Sequence, residues 1–408
     1  MADKERQAVI VGVGRYTQFP KPVEECVTPV GMFATAARAA AADASPSGGA
    51  EALLKDLVAV GAPMMFLEMR WAAAFGGEQI YHNFERSVAD ELGADPADEL
   101  CWSSQHGGNG PQFMVSAFAE LIAEGKIAQG PILVGGVEEN STFDRAVRPG
   151  NKEALLEAGW GDAGAGNTPD KPPTVVNQHP SPEEDALIER QTGLHVGGGA
   201  IHNYAMFENA QAAALGRSAD EHAAVFGDLF ARFSVVAAAH PEHSWFPEER
   251  TKDFLLTPSK DNRTIATPYN KWLCARDEID QSAAVLMMSW AEAERRGIPD
   301  EKLVFLHGSG DAFDVNSVVL RSQFTESRSM SAAYTEAFQS AGLGDADAEK
   351  VAFFDICASA PPAPGAPPPS LACWCMPPRQ MCASLTNARG RGAQTAASRS
   401  PWKRRAPP

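Results

Sequence analysis

Short apolar runs alternate with longer amphipathic segments along the N-terminal third of the chain. The apolar runs predict buried strands over 8–14, 56–60, 100–103 and 131–137. The segments between them carry apolar residues at helical spacing and predict helices over 30–42, 82–92 and 110–125. Strands that alternate with helices are typical of an α/β domain, in which helices cover both faces of a parallel sheet.

This alternation stops near Thr142 and resumes near Asp280. A polar, Pro-rich stretch through Pro182 predicts irregular structure, and two helices are predicted after it, over 201–215 and 218–239. Ser218 and Glu221 begin the second helix as a capping box, in which each side chain binds the backbone N–H of the other residue. The pattern therefore indicates an insertion within an α/β fold.

The α/β pattern that follows the insertion is shorter than the first. It predicts strands over 283–288, 303–307 and 351–356, with helices over 290–296 and 331–341. We divide the chain into an N-terminal half over 1–145, an insertion over 146–266, an incomplete second half over 267–357 and a tail over 358–408. The tail is rich in Pro, Ala and Arg and cannot bury a core, so we expect it to be disordered.

The net charge of −17 argues against a nucleic-acid partner, because phosphate binding needs a basic surface. No Asp or Glu follows Asp355, so the basic tail leaves the rest of the chain still more acidic. No apolar run reaches the ~18 residues that cross a membrane. The N-terminus also lacks the apolar core of a secretory signal, so we expect a cytoplasmic protein without a membrane span.

Neither the cysteines nor the glycines form a typical cofactor site. Cys373 and Cys375 have one residue between them, whereas structural zinc sites use pairs separated by two to four residues. Gly12-x-Gly14 is similar to a dinucleotide-binding fingerprint, but it lacks the third Gly and the acidic residue about 20 positions further on. We therefore expect neither a bound metal nor a dinucleotide cofactor.

Several local stretches occur together in the order and spacing of one enzyme family. They are AVIVGVGRYTQ (8–18), GGNGPQ (107–112), LVGGVEE (133–139), YAMFENA (204–210), GRSADEH (216–222), ARFSVVAAAHPEHSWFP (231–247), TPSKDNRTIATPYNKW (257–272), IDQSAA (279–284) and VFLHGSGDAFD (304–314). Over about residues 8–356 the chain resembles the thiolase superfamily. The resemblance is greatest to the branch related to sterol-carrier-protein thiolase, whose members are often labelled acetyl-CoA acetyltransferases.

The resemblance implies a thiolase fold, in which two similar βαβαβ halves form five layers and an inserted loop domain binds coenzyme A. It also implies a homodimer and a reaction in which a Cys thiolate takes the acyl group of a CoA thioester. No cofactor is implied, because the thioester is the substrate. Some members of the branch cleave carbon–carbon bonds together with a small partner subunit, so such a partner is a further expectation.

The family's nucleophilic Cys falls on Gly107 or Gly108 of this chain, where a helix is predicted to begin. The predicted thioester-binding bend comprises Gly107, Gly108, Asn109 and Gly110. It has no thiol and cannot form an acyl-enzyme, but the N–H groups of a helix N-terminus can polarise a thioester oxygen. Cys101 is either a displaced nucleophile or buried filler, and His106 is either a neutral base or an exposed bend residue.

Other candidate residues lie after the insertion. His307 follows a predicted strand and is either a functional His at a cleft or a structural His beside a Gly turn. Asp280 matches a family position that is mainly structural, where a carboxylate can accept hydrogen bonds from loop N–H groups.

Coenzyme A needs apolar or aromatic contacts and a few cations. The candidates for these contacts are Trp245, Phe246, Arg250, Lys260 and Arg263. Alternatively, Trp245 and Phe246 only hold the loop domain against the core.

The resemblance ends after Asp355. Asp355 and Pro361 match the family pattern, whereas the residues between them and the Pro-, Ala- and Arg-rich tail do not. We hypothesise that a shifted reading frame produced this tail. Translating the gene in its other frames tests the idea, and finding no family-like peptide in any frame would remove it.

We therefore expect a thiolase-like acyl-CoA acyltransferase that acts on or binds CoA thioesters in lipid or steroid metabolism. Because the usual nucleophilic Cys is missing, proton abstraction or retro-aldol chemistry is easier to reconcile with the sequence than acyl transfer. The alternative is a non-catalytic thiolase-fold scaffold or a subunit of a partner complex.

Overall fold

In the computed structural model, which describes residues 3–104, 110–161, 168–176, 200–312 and 320–343, helices flank a seven-stranded mixed sheet. The strands are β1 (Ala8–Thr17), β2 (Ala59–Pro63), β3 (Cys101–Ser104), β4 (Ile132–Glu139), β5 (Thr174–Val176), β6 (Thr264–Ala266), β7 (Tyr269–Asn270), β8 (Asp280–Ser289) and β9 (Val304–Phe305). The α-helices are α1 (Pro29–Ala44), α2 (Ala50–Lys55), α3 (Phe66–Ala74), α4 (Phe84–Leu92), α5 (Gly110–Ala123), α6 (Asn140–Val147), α7 (Glu153–Glu157), α8 (Ala200–Ala214), α9 (Ala219–Ala239), α10 (Lys252–Leu256), α11 (Trp290–Arg295) and α12 (Arg328–Ser340).

The strand order in the sheet is β5-β3-β2-β4-β8-β1-β9. β3, β2 and β4 are parallel to one another, as the sequence predicts, and β5, which the sequence did not predict, pairs parallel to β3. β8 is antiparallel to both β4 and β1, so the sheet is mixed and not wholly parallel. β8 follows the insertion in the chain but pairs between two strands of the N-terminal half. The division into domains remains a prediction.

Alternate residues along β8 pack on opposite faces of the sheet, as the period of a strand requires. Leu286 and Met288 belong to the core cluster that includes α1 and α4, and both are completely buried or nearly so. Met287 belongs to the cluster on the other face, together with Met114 and Phe118 of α5. Both faces are therefore covered by helices, and the hydrophobic burial on each face stabilises the sheet.

Two glycines allow α1 to lie directly on β1. A Cβ atom on Gly12 would be 2.1 Å from the backbone oxygen of Ala40, and one on Gly14 would be 2.0 Å from that of Ala36. The Gly-x-Gly pattern that is similar to a dinucleotide-binding fingerprint is thus used here for close packing of a helix on a strand.

Similar close packing recurs where α12 lies against the stretch after β9. A Cβ atom on Gly308 would lie 2.3 Å from the oxygen of Ala337, and one on Gly310 would lie 2.1 Å from that of Ala333 in α12. The stretch after β9 and α12 therefore repeats the arrangement of β1 and α1.

The insertion has its own small core. Ala205 of α8, Phe226 of α9, Leu255 of α10 and Tyr269 of β7 are buried against one another. The capping box predicted at Ser218 and Glu221 is confirmed, since each side chain accepts a backbone N–H of the other residue.

Helix α9 is long and apolar enough to cross a membrane by length and composition, with 22% of its most apolar window buried. One such helix is weak evidence for a membrane span, because core helices of other proteins pass the same test. Asp228 near its middle pairs with Lys252 of α10 at 2.9 Å, which ties this helix to the rest of the insertion.

The structure differs from the sequence-based expectation mainly between residues 140 and 176. The stretch expected to be irregular contains α6, α7 and β5. α3 was not predicted, because Phe66 and Met69 remain 50% and 53% exposed and its apolar residues do not mark one face. The predicted strand over 351–356 and the tail over 358–408 lie outside the described residues.

Candidate functional site

The carboxyl ends of β2, β3 and β4 meet at one edge of the sheet, and α5 begins there. Gly110, the first residue of α5, is buried against Pro63 and Ser104, which end β2 and β3. A Cβ atom on Gly110 would lie 3.0 Å from Pro63 Cβ and 3.1 Å from Ser104 Oγ. The N-terminus of a 14-residue helix is therefore fixed at the edge where the bend was predicted.

Most of the predicted bend lies outside the described residues. These residues are Gly107, Gly108 and Asn109, and the candidate base His106 before them also lies outside the described residues. The roles assigned to these residues remain predictions. Ser104 and Gly110, on either side of them, are both described.

The cysteines in the described part of the chain are poorly suited to be nucleophiles. Cys101 is completely buried in β3, and burial raises the pKa of its thiol to about 12. This supports the interpretation of Cys101 as buried filler, since the thiolate is the reactive form. Cys26 is 7% exposed, and burial raises the pKa of the half-buried Cys274. No group of three potential metal ligands comes together among the described residues.

Four carboxylic acids, two of them buried and two half-buried, lie around the same edge of the sheet. We call Glu68, Glu85, Glu138 and Glu139 the carboxylate cluster. Burial raises the pKa of Glu68 to about 7 and that of Glu85 to about 8, and it also raises the pKa of Glu138 and of Glu139. The negative charge of Glu138 further raises the pKa of Glu68, and that of Glu68 further raises the pKa of Glu85. The protonation of each of these three acids therefore depends on its neighbours.

Part of the carboxylate cluster caps α3. Glu138 accepts hydrogen bonds from the backbone N–H groups of Phe66 and Leu67, and Glu68 accepts one from Met65 at 3.1 Å. Negative charge at a helix N-terminus is favourable. Glu68 is also half-buried with a pKa near neutrality, which suits a group that exchanges protons.

Glu139 is completely buried. Its Oε1 accepts a hydrogen bond from Gln18 Nε2 at 2.8 Å, whereas its Oε2 has no partner among the described residues. The nearby Asp280 adds to the effect of burial on its pKa. Burial and the neighbouring Asp280 therefore both raise the pKa of the Glu139 carboxyl and favour its neutral form.

Asp280 has the structural role expected for it. Its carboxylate accepts hydrogen bonds from the backbone N–H groups of Ser141 at 2.9 Å and Thr142 at 3.0 Å, and from Thr142 Oγ1 at 2.7 Å. These groups begin α6, so Asp280 caps a helix that lies far from it in the sequence.

His307 is exposed in the stretch that follows β9. The next residue, Gly308, packs against α12, so His307 adjoins a close helix contact in the second half. This position is compatible with a structural role and does not by itself bring His307 to the carboxyl edge of the first half. Its catalytic role remains a prediction.

Trp245 lies at the contact between the insertion and the sheet. Its indole N–H donates to the backbone oxygen of Asp280 at 3.4 Å, and its ring is 6.1 Å from that of Phe19. Gln281 Nε2 and Thr17 Oγ1 both donate to the backbone oxygen of His243 close by. These contacts favour the interpretation that Trp245 holds the loop domain on the core.

Phe246 and Arg250 lie in a different environment, beside Trp272. The rings of Phe246 and Trp272 meet edge to face at 5.2 Å between centroids. The guanidinium carbon of Arg250 is 3.8 Å from the Trp272 ring centre, Lys271 Nζ is 5.1 Å from it, and the guanidinium carbon of Arg276 is 5.8 Å from it. We call Phe246, Arg250, Lys271, Trp272 and Arg276 the cationic–aromatic cluster.

Two further predicted cations lie near this cluster in the chain. Arg263 is exposed, and its backbone oxygen accepts a hydrogen bond from the N–H of Lys271 at 2.9 Å. Its positive charge lowers the pKa of Cys274, which opposes the effect of burial on that thiol. Lys260 is exposed on the loop before β6. The structure thus brings Phe246, Arg250 and Arg263 to one region, and it places Trp245 elsewhere.

Sequence reasoning missed Trp272, Lys271 and Arg276 as well as the carboxylate cluster. The string NKWLCAR contains an aromatic residue flanked by cations, which was a usable signal for the first three. Glu68 had no comparable signal, because only the buried environment of its carboxyl distinguishes it from a surface acid.

No protein-family model matches the chain, and a search of curated proteins finds no match. Solved structures do match. A monomeric SCP2-thiolase-like protein type 1 from Mycobacterium smegmatis is 28% identical over 87% of this chain, with a TM-score of 0.60. This chain spans 60% of the length of that protein.

Two more distant structures are also similar. An Ltp2–ChsH2(DUF35) aldolase is 16% identical over 84% of this chain and 71% of its own, with a TM-score of 0.52. A human mitochondrial 3-ketoacyl-CoA thiolase is also 16% identical, covering 84% of this chain and 78% of its own, with a TM-score of 0.48.

Proposed function

From the premise that this chain belongs to the thiolase superfamily, in its SCP2-thiolase-like branch, we propose that it binds a coenzyme A thioester. The nucleotide end of coenzyme A would lie at the cationic–aromatic cluster. The thioester would lie at the N-terminus of α5. The thioester is substrate, and no cofactor is required.

The observation that carries this proposal is the stacking of Arg250 on Trp272 at 3.8 Å, with Lys271 and Arg276 within 6 Å of the same ring. Three cations thus lie around one aromatic ring in a chain whose net charge is −17, and two of them also pair with acids, Arg250 with Glu248 and Arg276 with Glu278. A flat base can stack on such a ring, and phosphate groups pair with guanidinium groups. An adenine nucleotide combines both features.

The thioester end has groups suited to proton transfer. The N-terminus of α5 offers N–H groups to a carbonyl oxygen, and Glu68 lies at the same edge with a pKa of about 7. A base with that pKa can remove a proton next to a polarised thioester at neutral pH. The buried Cys26 and Cys101 offer no comparable route to an acyl-enzyme.

Acyl transfer of the acetyl-CoA acetyltransferase kind, in lipid or steroid metabolism, is the activity that the family resemblance implies. On this chain it would require direct transfer between bound substrates or a thiol outside the described residues. We therefore propose thioester binding as the function of the chain, with proton transfer next to the thioester as its chemistry.

Isothermal titration of the full chain with coenzyme A and acetyl-CoA tests the proposal. We expect Lys271→Gln/Arg276→Gln to weaken binding of both ligands by at least about tenfold, because two charge-assisted contacts are lost. Arg232→Gln, an exposed cation of α9 in the same insertion, is the matched control and should leave the affinity unchanged.

The absence of heat at millimolar acetyl-CoA would contradict the proposal and favour the scaffold function. The scaffold alternative gains support from the buried state of Cys26 and Cys101. It further predicts that no CoA ligand raises the melting temperature.

A further inference from the structure

One face of helix α9 is exposed along almost the whole length of the helix. The exposed residues of α9 over 221–239 are Glu221, Val225, Asp228, Arg232, Val235 and Ala239. They recur at alternating intervals of four and three residues, which is the spacing of the contact positions in a coiled coil. We call these six residues the α9 seam.

The α9 seam lies opposite the face of α9 that packs on the rest of the insertion. With 3.6 residues per turn, its six positions fall within about 80° around the helix axis, whereas Phe226 and Ser234 lie on the other side. Ser234 Oγ donates to the backbone oxygen of Arg250 at 3.1 Å, so this other side faces the cationic–aromatic cluster. The α9 seam is therefore turned away from the proposed nucleotide site.

The α9 seam leaves apolar side chains in contact with solvent. Val225 and Val235 are 49% and 48% exposed, and the half-buried Leu229 and Val236 border the seam on one side. Only 22% of the most apolar window of α9 is buried. A helix on the surface of a protein normally turns polar residues to the water, so the apolar content of this face indicates a partner.

The residues of the α9 seam are arranged symmetrically about position 230. Val225 and Val235 are each five positions from it, and Asp228 and Arg232 are each two positions from it. Two copies of α9 that pair antiparallel about a two-fold axis at this point would place Asp228 of each copy beside Arg232 of the other, and Val225 beside Val235. Leu229, one position from the axis, would meet its own copy. The seam is thus complementary to itself in both charge and apolar contact.

Both charged residues of this arrangement are accessible to a second copy. Asp228 pairs with Lys252 of its own chain through Oδ2 at 2.9 Å, and 52% of its side chain remains exposed. Arg232 is exposed, and its side chain forms no ion pair within the parts of the chain that the structure describes. In a parallel pair in register, Asp228 would face Asp228 and Arg232 would face Arg232. Charge therefore selects the antiparallel arrangement.

We propose that the α9 seam is the interface of a homodimer, in which α9 pairs antiparallel with the same helix of a second copy of this chain. The two helices would lie side by side for about 27 Å. Such an interface is small, and small interfaces are typical of weak association. We therefore expect a dimer that forms as the protein concentration rises and that does not require coenzyme A.

Sedimentation velocity of the full chain at concentrations up to about 0.2 mM tests the proposal, since this range covers weak association. The wild type should dimerise. Asp228→Lys and Arg232→Glu each bring like charges together at both contacts, so each should weaken dimerisation at least about tenfold. An equimolar mixture of the two variants should dimerise about as well as the wild type, because both contacts of the mixed dimer again join opposite charges. Asp261→Lys reverses an exposed acid of the insertion outside α9 and should keep the wild-type dimer.

A wild type that stays monomeric over this range would overturn the proposal. A monomer that binds phosphatidylcholine vesicles would also overturn it, and would make the α9 seam a membrane contact. A dimer that both single variants retain would have its interface elsewhere. Failure of the mixture to dimerise, when both variants melt at the wild-type temperature, would overturn the antiparallel pairing. If a charge variant does not fold, Val235→Glu replaces it and should also weaken the dimer.

Discussion

Glu85 shows how a single buried acid couples protonation to stability. It lies on α4 with 2% of its surface exposed, and burial raises the pKa of its carboxyl to about 8. An unfolded chain has a Glu pKa of about 4.3. Between these two values the folded protein holds a proton that the unfolded chain has released. The free energy of unfolding therefore falls as pH rises through this window.

Glu85→Gln should flatten that pH dependence, because Gln stays neutral at every pH. One such acid changes the free energy of unfolding by about 1.4 kcal/mol per pH unit inside the window. We expect the variant to lose about 2–3 kcal/mol less than the wild type between pH 5.5 and 7.5. Urea denaturation at the two pH values measures the difference.

Glu153→Gln is the control for this measurement, since Glu153 is exposed on α7. It should keep the wild-type slope. Equal slopes in Glu85→Gln and the wild type would show that Glu85 is already ionised in the folded protein at neutral pH.

At the scale of secondary structure, the close contact of α1 on β1 is repeated by α12 on the stretch after β9. Each contact depends on two glycines that are separated by one residue. These are Gly12 and Gly14 for α1, and Gly308 and Gly310 for α12. The sequence shows the Gly-x-Gly pattern, but it does not show that these glycines allow a helix to pack closely. A Gly-x-Gly pair serves a phosphate or a neighbouring helix equally well, and only the position of the helix decides between them.

Gly14→Ala should therefore be strongly destabilising. The added Cβ would lie 2.0 Å from the backbone oxygen of Ala36, so α1 must move away from the sheet. We expect a loss of at least about 1–3 kcal/mol in the free energy of unfolding, measured by urea denaturation.

Gly48→Ala provides the comparison, because nothing lies within 4 Å of a Cβ atom at that position. It should change the free energy of unfolding by no more than about 0.5 kcal/mol. A similar, small effect of both substitutions would mean that α1 does not pack closely on β1.

At the scale of the whole molecule, β5 covers the outer edge of β3. Exposed strand edges pair readily with other chains, and a short edge strand reduces that tendency. The homodimer implied by the family resemblance remains a prediction, and the similar Mycobacterium smegmatis protein is described as monomeric. Because β3 is already paired, we expect any homodimer to form through another surface. The cytoplasmic location and the small partner subunit also remain predictions.

Sedimentation of the wild type and of Val175→Lys tests this expectation. Val175 is 38% exposed on β5, so a Lys there would oppose edge-to-edge pairing without creating a cavity. A homodimer formed elsewhere should keep its mass in this variant and in the control Leu156→Lys, which alters an exposed residue of α7. Dissociation of Val175→Lys alone would show that β5 forms the interface, and a monomeric wild type would contradict the homodimer.

The sequence alone determined most of the elements of the N-terminal half, because their apolar residues recur with strand or helix period and their ends carry local signals. The helices predicted over 110–125 and 218–239 are found as α5 and α9 within two residues. The strand predicted over 56–60 is found over Ala59–Pro63, three residues later. The family resemblance fixed the thiolase fold because it depended on the order of many short stretches.

Only the tertiary structure decided the mixed direction of the sheet, the helix α6 and the candidate site. β8 enters the sheet between β4 and β1 after more than a hundred intervening residues, and Asp280 at its start caps α6. Local sequence cannot show a helix whose cap is so remote. Likewise, the pKa of Glu68 and the cations around Trp272 result from burial and proximity between separate segments. Such properties depend on distances in space, and the order of residues does not encode them locally.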